Sequence, residues 1–236
     1  MTRQVIELWF EFASNYSYLT VMRIEPIARQ AGVTLIWRPF LLGAVFGELG
    51  MHEPPFVTQK EKGRYVWIDS ARRAAKYGLP FNRPSEFPRL SVLPLRVALL
   101  GADEVRVPEF CRRIMHRNWV RDLEINSADA VIAALDGLVP DPESVLRAAQ
   151  SDSAKQRLRE QTSEAHRRGI FGAPTFLVGD EMFWGDDRLE DALHAALAQA
   201  GKSLSSLFLD PAQRVIADQH REQATSANDQ ASASFN

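Results

Sequence analysis

Cysteine is almost absent from this chain. Its 236 residues include a single cysteine, Cys111, which excludes an intrachain disulfide, a dithiol redox couple and a cysteine-rich zinc site. None of the five histidines has the spacing of metal ligands, so the sequence predicts no metal site. We predict that Cys111 is a small packed side chain of the core.

The chain also lacks a strong net charge and a long apolar run. Its 28 basic and 30 acidic residues give a net charge of −2, so no overall field favours nucleic acid or a membrane surface. Glu7 and Glu11 interrupt the apolar pattern near the start, which is unlike a signal peptide or a membrane-spanning helix. The sequence therefore predicts a cytoplasmic globular protein without a membrane or nucleic-acid partner.

The first strongly patterned segment is a strand that runs into a helix. Apolar side chains occupy every second position, as in a half-buried strand, at Ile6, Leu8, Phe10 and Phe12. Ser14 then stands at the expected N-cap of a helix, where free backbone N–H groups favour a nearby anion. Thioredoxin-like folds place Cys-x-x-Cys at such a junction, and here both positions are serines, Ser14 and Ser17. The sequence therefore predicts a site for a thiolate that belongs to another molecule, with glutathione as the candidate.

The rest of the chain alternates between regular and irregular segments. A helix with a kink at Pro26 and a strand at 33–40 follow the turn, and residues 41–55 are predicted to be a binding loop. The pattern then predicts six helices, at 63–77, 91–100, 108–120, 128–135, 142–149 and 153–168. Residues 170–178 are predicted to be a loop that enters a strand, and a hairpin turn at 179–180 leads to a strand at 181–184 and a helix at 188–200.

These elements predict an α/β protein with two domains. Residues 1–40 and 169–210 would form a thioredoxin-like sheet domain, and residues 41–168 would form a large all-helical insertion domain. Residues 219–236 have almost nothing to bury and are predicted to be a disordered tail. In thioredoxin-like folds a cis-proline before the third strand faces the active-site turn, and Pro174 stands at that place.

Four short stretches together resemble the 2-hydroxychromene-2-carboxylate isomerase family, which is related to the kappa-class glutathione transferases and the DsbA oxidoreductases. They are FASNYSYL at 12–19, RPFLLG at 38–43, GIFGAPTF at 169–176 and FWGDDR at 183–188. The resemblance runs from about residue 7 to about residue 200 with the motifs in the family's order. It implies the DsbA and kappa-class architecture, a sheet domain split by helices, and a homodimer.

The resemblance also implies a role for individual residues. The hydroxyl of Ser14 would hydrogen-bond the glutathione sulfur and favour the thiolate. The backbone of Ala173, before the cis-proline, would pair with the peptide backbone of glutathione. Asp186 and Asp187 would receive its γ-glutamyl end, and Lys62 is suited to a carboxylate of glutathione or substrate.

The implied activity is glutathione-dependent cis–trans isomerisation of 2-hydroxychromene-2-carboxylate or a similar unsaturated aromatic acid, by reversible thiolate addition. Two alternatives share the same site: a kappa-like glutathione transferase that acts on electrophiles, and a non-catalytic thioredoxin-like module that binds glutathione. Three positions depart from the family's pattern, Asn15 in place of proline, and Met51 and Leu90 in place of asparagine. These departures bear on the substrate more than on glutathione.

Each of these residues also has an ordinary structural interpretation. Ser14 and the aspartates could simply cap helices, and Lys62 could be a solvated surface charge. The large aromatic side chains, Trp184 among them, are predicted to belong to the core and not to a substrate wall.

Overall fold

The sheet of this protein is built from the two ends of the chain. The computed structural model describes residues 4–51, 58–101, 106–199 and 201. Its strands are β1 (Val5–Phe10), β2 (Thr34–Pro39), β3 (Thr175–Val178) and β4 (Glu181–Trp184), in the order β2-β1-β3-β4. β1 is parallel to β2 and antiparallel to β3, and β3 and β4 form a hairpin.

Helices occupy most of the described chain between β2 and β3. Two helices, α1 and α2, connect β1 to β2, seven lie between β2 and β3, and a short 3₁₀ turn at Asp186–Arg188 leads into the last. Their bounds are α1 Asn15–Val21, α2 Ile24–Ala31, α3 Leu42–Glu48, α4 Lys60–Lys76, α5 Val92–Leu100, α6 Val107–Trp119, α7 Ala128–Leu135, α8 Pro142–Gln150, α9 Asp152–Arg167 and α10 Leu189–Ala198. The predicted order of the four strands and the α/β class are confirmed.

The central strand β1 is buried on both faces, not on one as its alternation predicted. Ile6, Leu8 and Phe10 belong to the main core, while Trp9 on the opposite face is only 1% exposed and packs edge-on against Phe40. Helices α3 and α9 cover this second face with apolar side chains. The end of β1 is therefore enclosed, and the polar side chains that follow it, Glu11 and Ser14, are buried.

Two local predictions are wrong. Residues 41–55 were predicted to form a loop, but residues 42–48 are helix α3 and residues 52–57 lie outside the described residues. Gly43 and Gly47 weaken the helical propensity of this segment, whereas burial of Val45 and Phe46 stabilises the helix. The predicted kinked helix around Pro26 is two helices, with Pro26 in the first turn of α2, where its missing N–H costs nothing.

The division into domains at residues 41 and 168 stays a prediction. The predicted tail at 219–236 lies outside the described residues. Cys111 is completely buried in the main core, as predicted. Among the helices of the described segments, none combines the length and apolar character that crossing a bilayer requires.

Candidate active site

A cavity of about 860 Å³ opens where the turn after β1 meets the helices and the loop before β3. Five of the six predicted site residues line it: Ser14, Lys62, Ala173, Asp186 and Asp187. Pro174 is buried behind the wall, and its carbonyl oxygen accepts a hydrogen bond from the backbone N–H of Gly185 at 2.9 Å. The fold thus brings together groups that are up to 173 positions apart in the sequence.

Ser14 joins the first helix to the loop before β3. Its backbone is extended (φ −92°, ψ 119°), and its Oγ accepts a hydrogen bond from the backbone N–H of Ser17 at 3.1 Å, so the predicted N-cap is confirmed. The same hydroxyl donates to the carbonyl oxygen of Ala173 at 2.7 Å. The Ala173–Pro174 peptide bond is cis, which confirms the predicted cis-proline.

The side chains that follow Ser14 attach α1 to helix α4. The amide Nδ2 of Asn15 donates to the hydroxyl of Ser70 at 2.5 Å, and the hydroxyl of Tyr16 donates to Asp69 at 2.7 Å. Both Asn15 and Ser70 are buried. A proline at position 15 could not form this bond, so the departure from the family's pattern has a structural role here.

Asp186 is the centre of a buried ion-pair network. Its carboxylate lies 3.0 Å from the guanidinium of Arg23 and 2.8 Å from that of Arg73. The hydroxyls of Thr20 and Tyr77 donate to the same carboxylate at 2.9 and 3.1 Å. Both oxygens are thus engaged by protein groups and the side chain has no exposed surface. The network connects α1, α2 and α4 to the turn after β4, and it leaves this carboxylate no free position for a ligand.

Asp187, the next residue, has the opposite surroundings. Its side chain is half-exposed and bonds to Arg188 at 2.9 Å. Burial opposes ionisation, but hydrogen bonds from Arg188 and from the backbone, with the charges of Arg188 and Arg73, outweigh it and hold the pKa of Asp187 below its ordinary value. Gly185 permits the turn, since its φ is +111° and a Cβ there would lie 2.6 Å from the Asp187 carboxylate. Asp187 is therefore an anion that a ligand can reach.

Lys62 lies in the first turn of α4 on the opposite side of the cavity. Its side chain is exposed, and within the described residues no acidic side chain pairs with it. The cavity therefore presents a cation that has no acidic partner among the described residues, as well as a reachable carboxylate at Asp187.

Glu11 is a cavity residue that the sequence analysis did not identify. Its carboxylate accepts hydrogen bonds from the hydroxyl of Ser91 and from the backbone N–H groups of Ala13 and Leu42, the last two at 3.3 Å. Burial raises the pKa of Glu11 to about 7, although these hydrogen bonds act to lower it. In the sequence Glu11 occupied the polar side of an alternating strand. Only the covering of that side by α3 and α9 makes the residue buried.

The mouth of the cavity is apolar, and Trp184 is part of it. The prediction that Trp184 belongs to the core is wrong: it is 53% exposed, and its ring lies 4.8 Å from that of Phe171. The indole rests directly on Gly172, where a Cβ would come within 2.2 Å of its Nε1. Tyr65 and Leu90 are also exposed and line the same cavity. The mouth therefore offers a flat apolar surface to a ligand.

The segment that carries Leu90 is anchored by its neighbour Arg89. The Arg89 guanidinium forms an ion pair with Asp122 at 2.6 Å and donates to the side-chain oxygen of Asn118 at 3.0 Å. The preceding Phe87–Pro88 peptide bond is cis. The backbone of residues 79–89 is irregular, and its contacts with α6 and the following loop fix the wall of the cavity.

The comparison that decides the family covers nearly the whole described chain. Residues 5–198 match the DsbA-like thioredoxin domain. This chain belongs to the DsbA-like thioredoxin domain family. The fold read from the sequence is thereby confirmed.

Within this family, individual relatives agree with the motif resemblance. The chain is 26% identical over 187 residues to 2-hydroxychromene-2-carboxylate isomerase of Sphingobium xenophagum, covering 79% of this chain and 95% of the relative. It is 28% identical over 205 residues to glutathione S-transferase kappa 2 of Caenorhabditis elegans, covering 79% and 89%. A solved structure of 2-hydroxychromene-2-carboxylate isomerase superposes with a TM-score of 0.75 at 26% identity, covering 84% of this chain and 96% of that one.

Proposed function

We propose that this protein is a glutathione-dependent isomerase that acts on 2-hydroxychromene-2-carboxylate or a similar unsaturated aromatic acid. One observation carries the proposal: the Ser14 hydroxyl, hydrogen-bonded to the Ala173 carbonyl, lines a cavity that also presents charged side chains and exposed apolar rings. The similarity to 2-hydroxychromene-2-carboxylate isomerases, in sequence and in fold, supports it.

The residues present fit glutathione. A volume of about 860 Å³ is near the upper end of the range of about 300–1,000 Å³ for small-molecule sites, so a tripeptide and an aromatic acid can share it. Glutathione carries an ammonium group and two carboxylates, and the cavity offers Asp187 for the first and Lys62 for one of the second. The Asp186 carboxylate is committed to Arg23 and Arg73, so in this proposal its side chain only supports the turn that presents Asp187.

The chain's own residues have distinct tasks in this reaction. Bound glutathione would supply a thiolate that adds reversibly to a conjugated carbon, so that a double bond becomes single and can rotate. Ser14 would turn its hydroxyl from Ala173 toward the sulfur and stabilise its negative charge, which needs no general base at Ser14. Ala173 would then direct its freed carbonyl oxygen at a peptide N–H, in the manner of strand addition.

The apolar mouth is suited to the aromatic part of the substrate. Trp184 and Phe171 present their rings next to the cavity, and Tyr65 and Leu90 face it from the helical side. Burial of an aromatic ring between such side chains stabilises binding by about 25 cal/mol per Å² of apolar surface removed from water.

The test combines binding, turnover and product analysis. Calorimetry measures glutathione binding, with S-methylglutathione as a control that lacks the thiol. Absorbance then follows conversion between 2-hydroxychromene-2-carboxylate and its ring-opened trans isomer with and without glutathione. We expect conversion that requires glutathione and leaves it unmodified by mass spectrometry.

The other outcomes identify the alternatives. A stable glutathione adduct would favour a kappa-like transferase, a class to which the Caenorhabditis elegans relative belongs. Glutathione binding without turnover of any electrophile would favour a non-catalytic binding module. Absence of glutathione binding would exclude all three functions.

A further inference from the structure

We propose that Glu11, acting with Ser91, is the proton-transfer group of this site. This inference rests on the proposed function, since it assigns the residues that move a proton in that reaction. Both residues line the cavity, and the Ser91 hydroxyl donates directly to a carboxylate oxygen of Glu11. Glu11 is also attached to the reactive turn, because its carbonyl oxygen accepts a hydrogen bond from the backbone N–H of Ser14 at 3.1 Å.

The surroundings of Glu11 differ from those of every other carboxylate in the described lining. Its partners are neutral: one hydroxyl and the backbone N–H groups of Ala13 and Leu42. The remaining carboxylates each have a charged or phenolic partner: Asp69 with Tyr16, Asp186 with Arg23 and Arg73, and Asp187 with Arg188. Glu11 is therefore the carboxyl of the described lining whose partners are only an aliphatic hydroxyl and backbone N–H groups, and gaining or losing a proton there breaks no ion pair.

No imidazole or thiol in the described lining could take over this task. The other basic and phenolic groups of the lining come from α1, from α4, from the segment before α5 and from the turn after β4, and none of them bonds to Glu11: Tyr16, Lys62, Tyr65, Arg73, Arg89 and Arg188. A buried carboxyl without a counter-ion holds its proton more tightly than an exposed one. Burial accordingly raises the pKa of Glu11 to about 7, where a group can both give and accept a proton at neutral pH.

The reaction needs such a group at the substrate's carbonyl oxygen. When the conjugated double bond becomes single, the electron pair that leaves it collects on this oxygen. The proton on the Glu11 carboxyl would pass through the Ser91 hydroxyl to that oxygen and leave Glu11 as carboxylate. When the double bond re-forms after rotation, the same proton returns to Glu11. One proton moves out and back in each cycle, so no further reactant is consumed.

The first test observes Glu11 without turnover. Difference infrared spectroscopy of the ligand-free protein should show a carboxyl band that disappears near the pKa of about 7 and that is missing in Glu11→Gln. In Ser91→Ala the band should shift in frequency, because the hydroxyl that bonds to the carboxylate is removed. A spectrum in which no buried carboxyl titrates near neutrality would overturn the proposal.

The second test measures the rate with glutathione as a function of pH. General acid–base catalysis contributes about 10²–10⁴-fold, so we expect Glu11→Gln to lower kcat by about a hundredfold or more and to remove the inflection of the wild-type profile. Ser91→Ala should also lower kcat, because it removes the hydroxyl through which the proton passes. Glu7→Gln is the matched control: it makes the same change on β1 at a residue paired with Arg38 and Arg168, and its profile should follow the wild type.

The outcomes separate this inference from the proposed function. If the wild type turns over and Glu11→Gln keeps both its rate and its inflection, the role of Glu11 is refuted while the isomerase remains. If the wild type shows no glutathione-dependent turnover, both are refuted. If Glu11→Gln does not fold, the wild-type infrared titration together with the Ser91→Ala band shift and rate decides.

Discussion

The hydroxyl of Ser14 and the carbonyl oxygen of Ala173 are joined by a 2.7 Å hydrogen bond across 159 positions of the chain. The Ser14 oxygen also accepts from the N–H of Ser17, so it caps α1 and holds the loop before β3 at the same time. A ligand sulfur that accepts a hydrogen bond from the Ser14 hydroxyl must replace the Ala173 carbonyl oxygen as its acceptor. Ser14 is therefore tied to the stability of the fold as well as to the chemistry of the site.

Replacing Ser14 with alanine should affect both roles. We expect Ser14→Ala to lower the free energy of unfolding by about 1 kcal/mol through the lost cap. It should also lower kcat by about 10²-fold, the scale of one donor to a developing negative charge, with little change in glutathione affinity. Urea denaturation, calorimetry and steady-state kinetics measure the three quantities.

The control for that experiment is Ser17→Ala. The Ser17 hydroxyl is fully buried, accepts the N–H of Glu11 and lies outside the cavity lining. Ser17→Ala should therefore lose stability without a comparable loss of kcat. Equal turnover by Ser14→Ala and the wild type would show that Ser14 is only a helix cap.

The neighbouring aspartates should respond differently to the loss of charge. Asp187→Asn should weaken glutathione binding by about tenfold, since a charge-assisted hydrogen bond contributes about 1.5–3 kcal/mol and this carboxylate is half-exposed. Asp186→Asn should instead destabilise the fold by about 3 kcal/mol, because it leaves Arg23 and Arg73 without their buried counter-ion. Calorimetry and urea denaturation separate the two effects.

Asp191→Asn is the control for Asp187. Asp191 also pairs with Arg188, at 2.8 Å, but it does not line the cavity. Its replacement should leave glutathione affinity unchanged. Equal affinity losses in Asp187→Asn and Asp191→Asn would mean that the charge of Arg188, and not the Asp187 carboxylate, affects the ligand.

The bond between Asn15 and Ser70 can be tested with two substitutions at one position. Asn15→Ala removes the bond and should cost about 1 kcal/mol of stability. Asn15→Pro removes the same bond, but it also restricts the unfolded chain, which stabilises the folded state by about 0.4–1 kcal/mol. The extended backbone of Ser14 accepts a following proline. Asn15→Pro should thus unfold at a higher temperature than Asn15→Ala, and the reverse order would contradict this account.

The buried Glu11 should make stability depend on pH. Burial raises its pKa from 4.5 to about 7, so the folded state binds this proton more tightly than the unfolded state. The stability from the protonated carboxyl is complete below pH 4.5 and is lost as the pH rises to about 7. At about 1.4 kcal/mol per pKa unit the loss is at most a few kcal/mol.

Urea denaturation across this window tests the linkage. Glu11→Gln should remove the decline in the free energy of unfolding that the wild type shows as the pH rises. Glu7→Gln should keep it: burial opposes ionisation of Glu7, but Arg168 and Arg38 lower its pKa, so any stability it contributes is lost toward acid and not toward neutrality. Parallel curves for the wild type and Glu11→Gln would contradict the assignment of a raised pKa to Glu11.

Sequence patterns were sufficient for the parts of the fold that depend on local chemistry. The Ser14 cap, the strand-to-helix order and the hairpin between β3 and β4 follow from short-range preferences. The cis bond before Pro174 came from the fold and not from the dipeptide. Helix α3 was missed because Gly43 and Gly47 weaken its local signal, while contacts with α9 and β1 stabilise it.

The electrostatics of the site could not be predicted because they depend on distant partners. Arg23 and Arg73 lie 163 and 113 positions from Asp186, so two adjacent aspartates looked equivalent although one is buried and the other is reachable. Glu11 looked like a surface residue until α3 and α9 covered its face of the sheet. Trp184 looked like core because size and hydrophobicity do not reveal that it packs on Gly172 at a cavity mouth.

The antiparallel pairing of β1 with β3 has a consequence for the order of folding. Glu7 lies opposite Leu177, so the central strand cannot complete its pairing until nearly all of the described chain has been synthesised. Ser14 is synthesised well before Ala173, so the hydrogen bond between them can form only after the helices have been synthesised. A chain cut anywhere among the helices would therefore produce two fragments, neither of which contains the site.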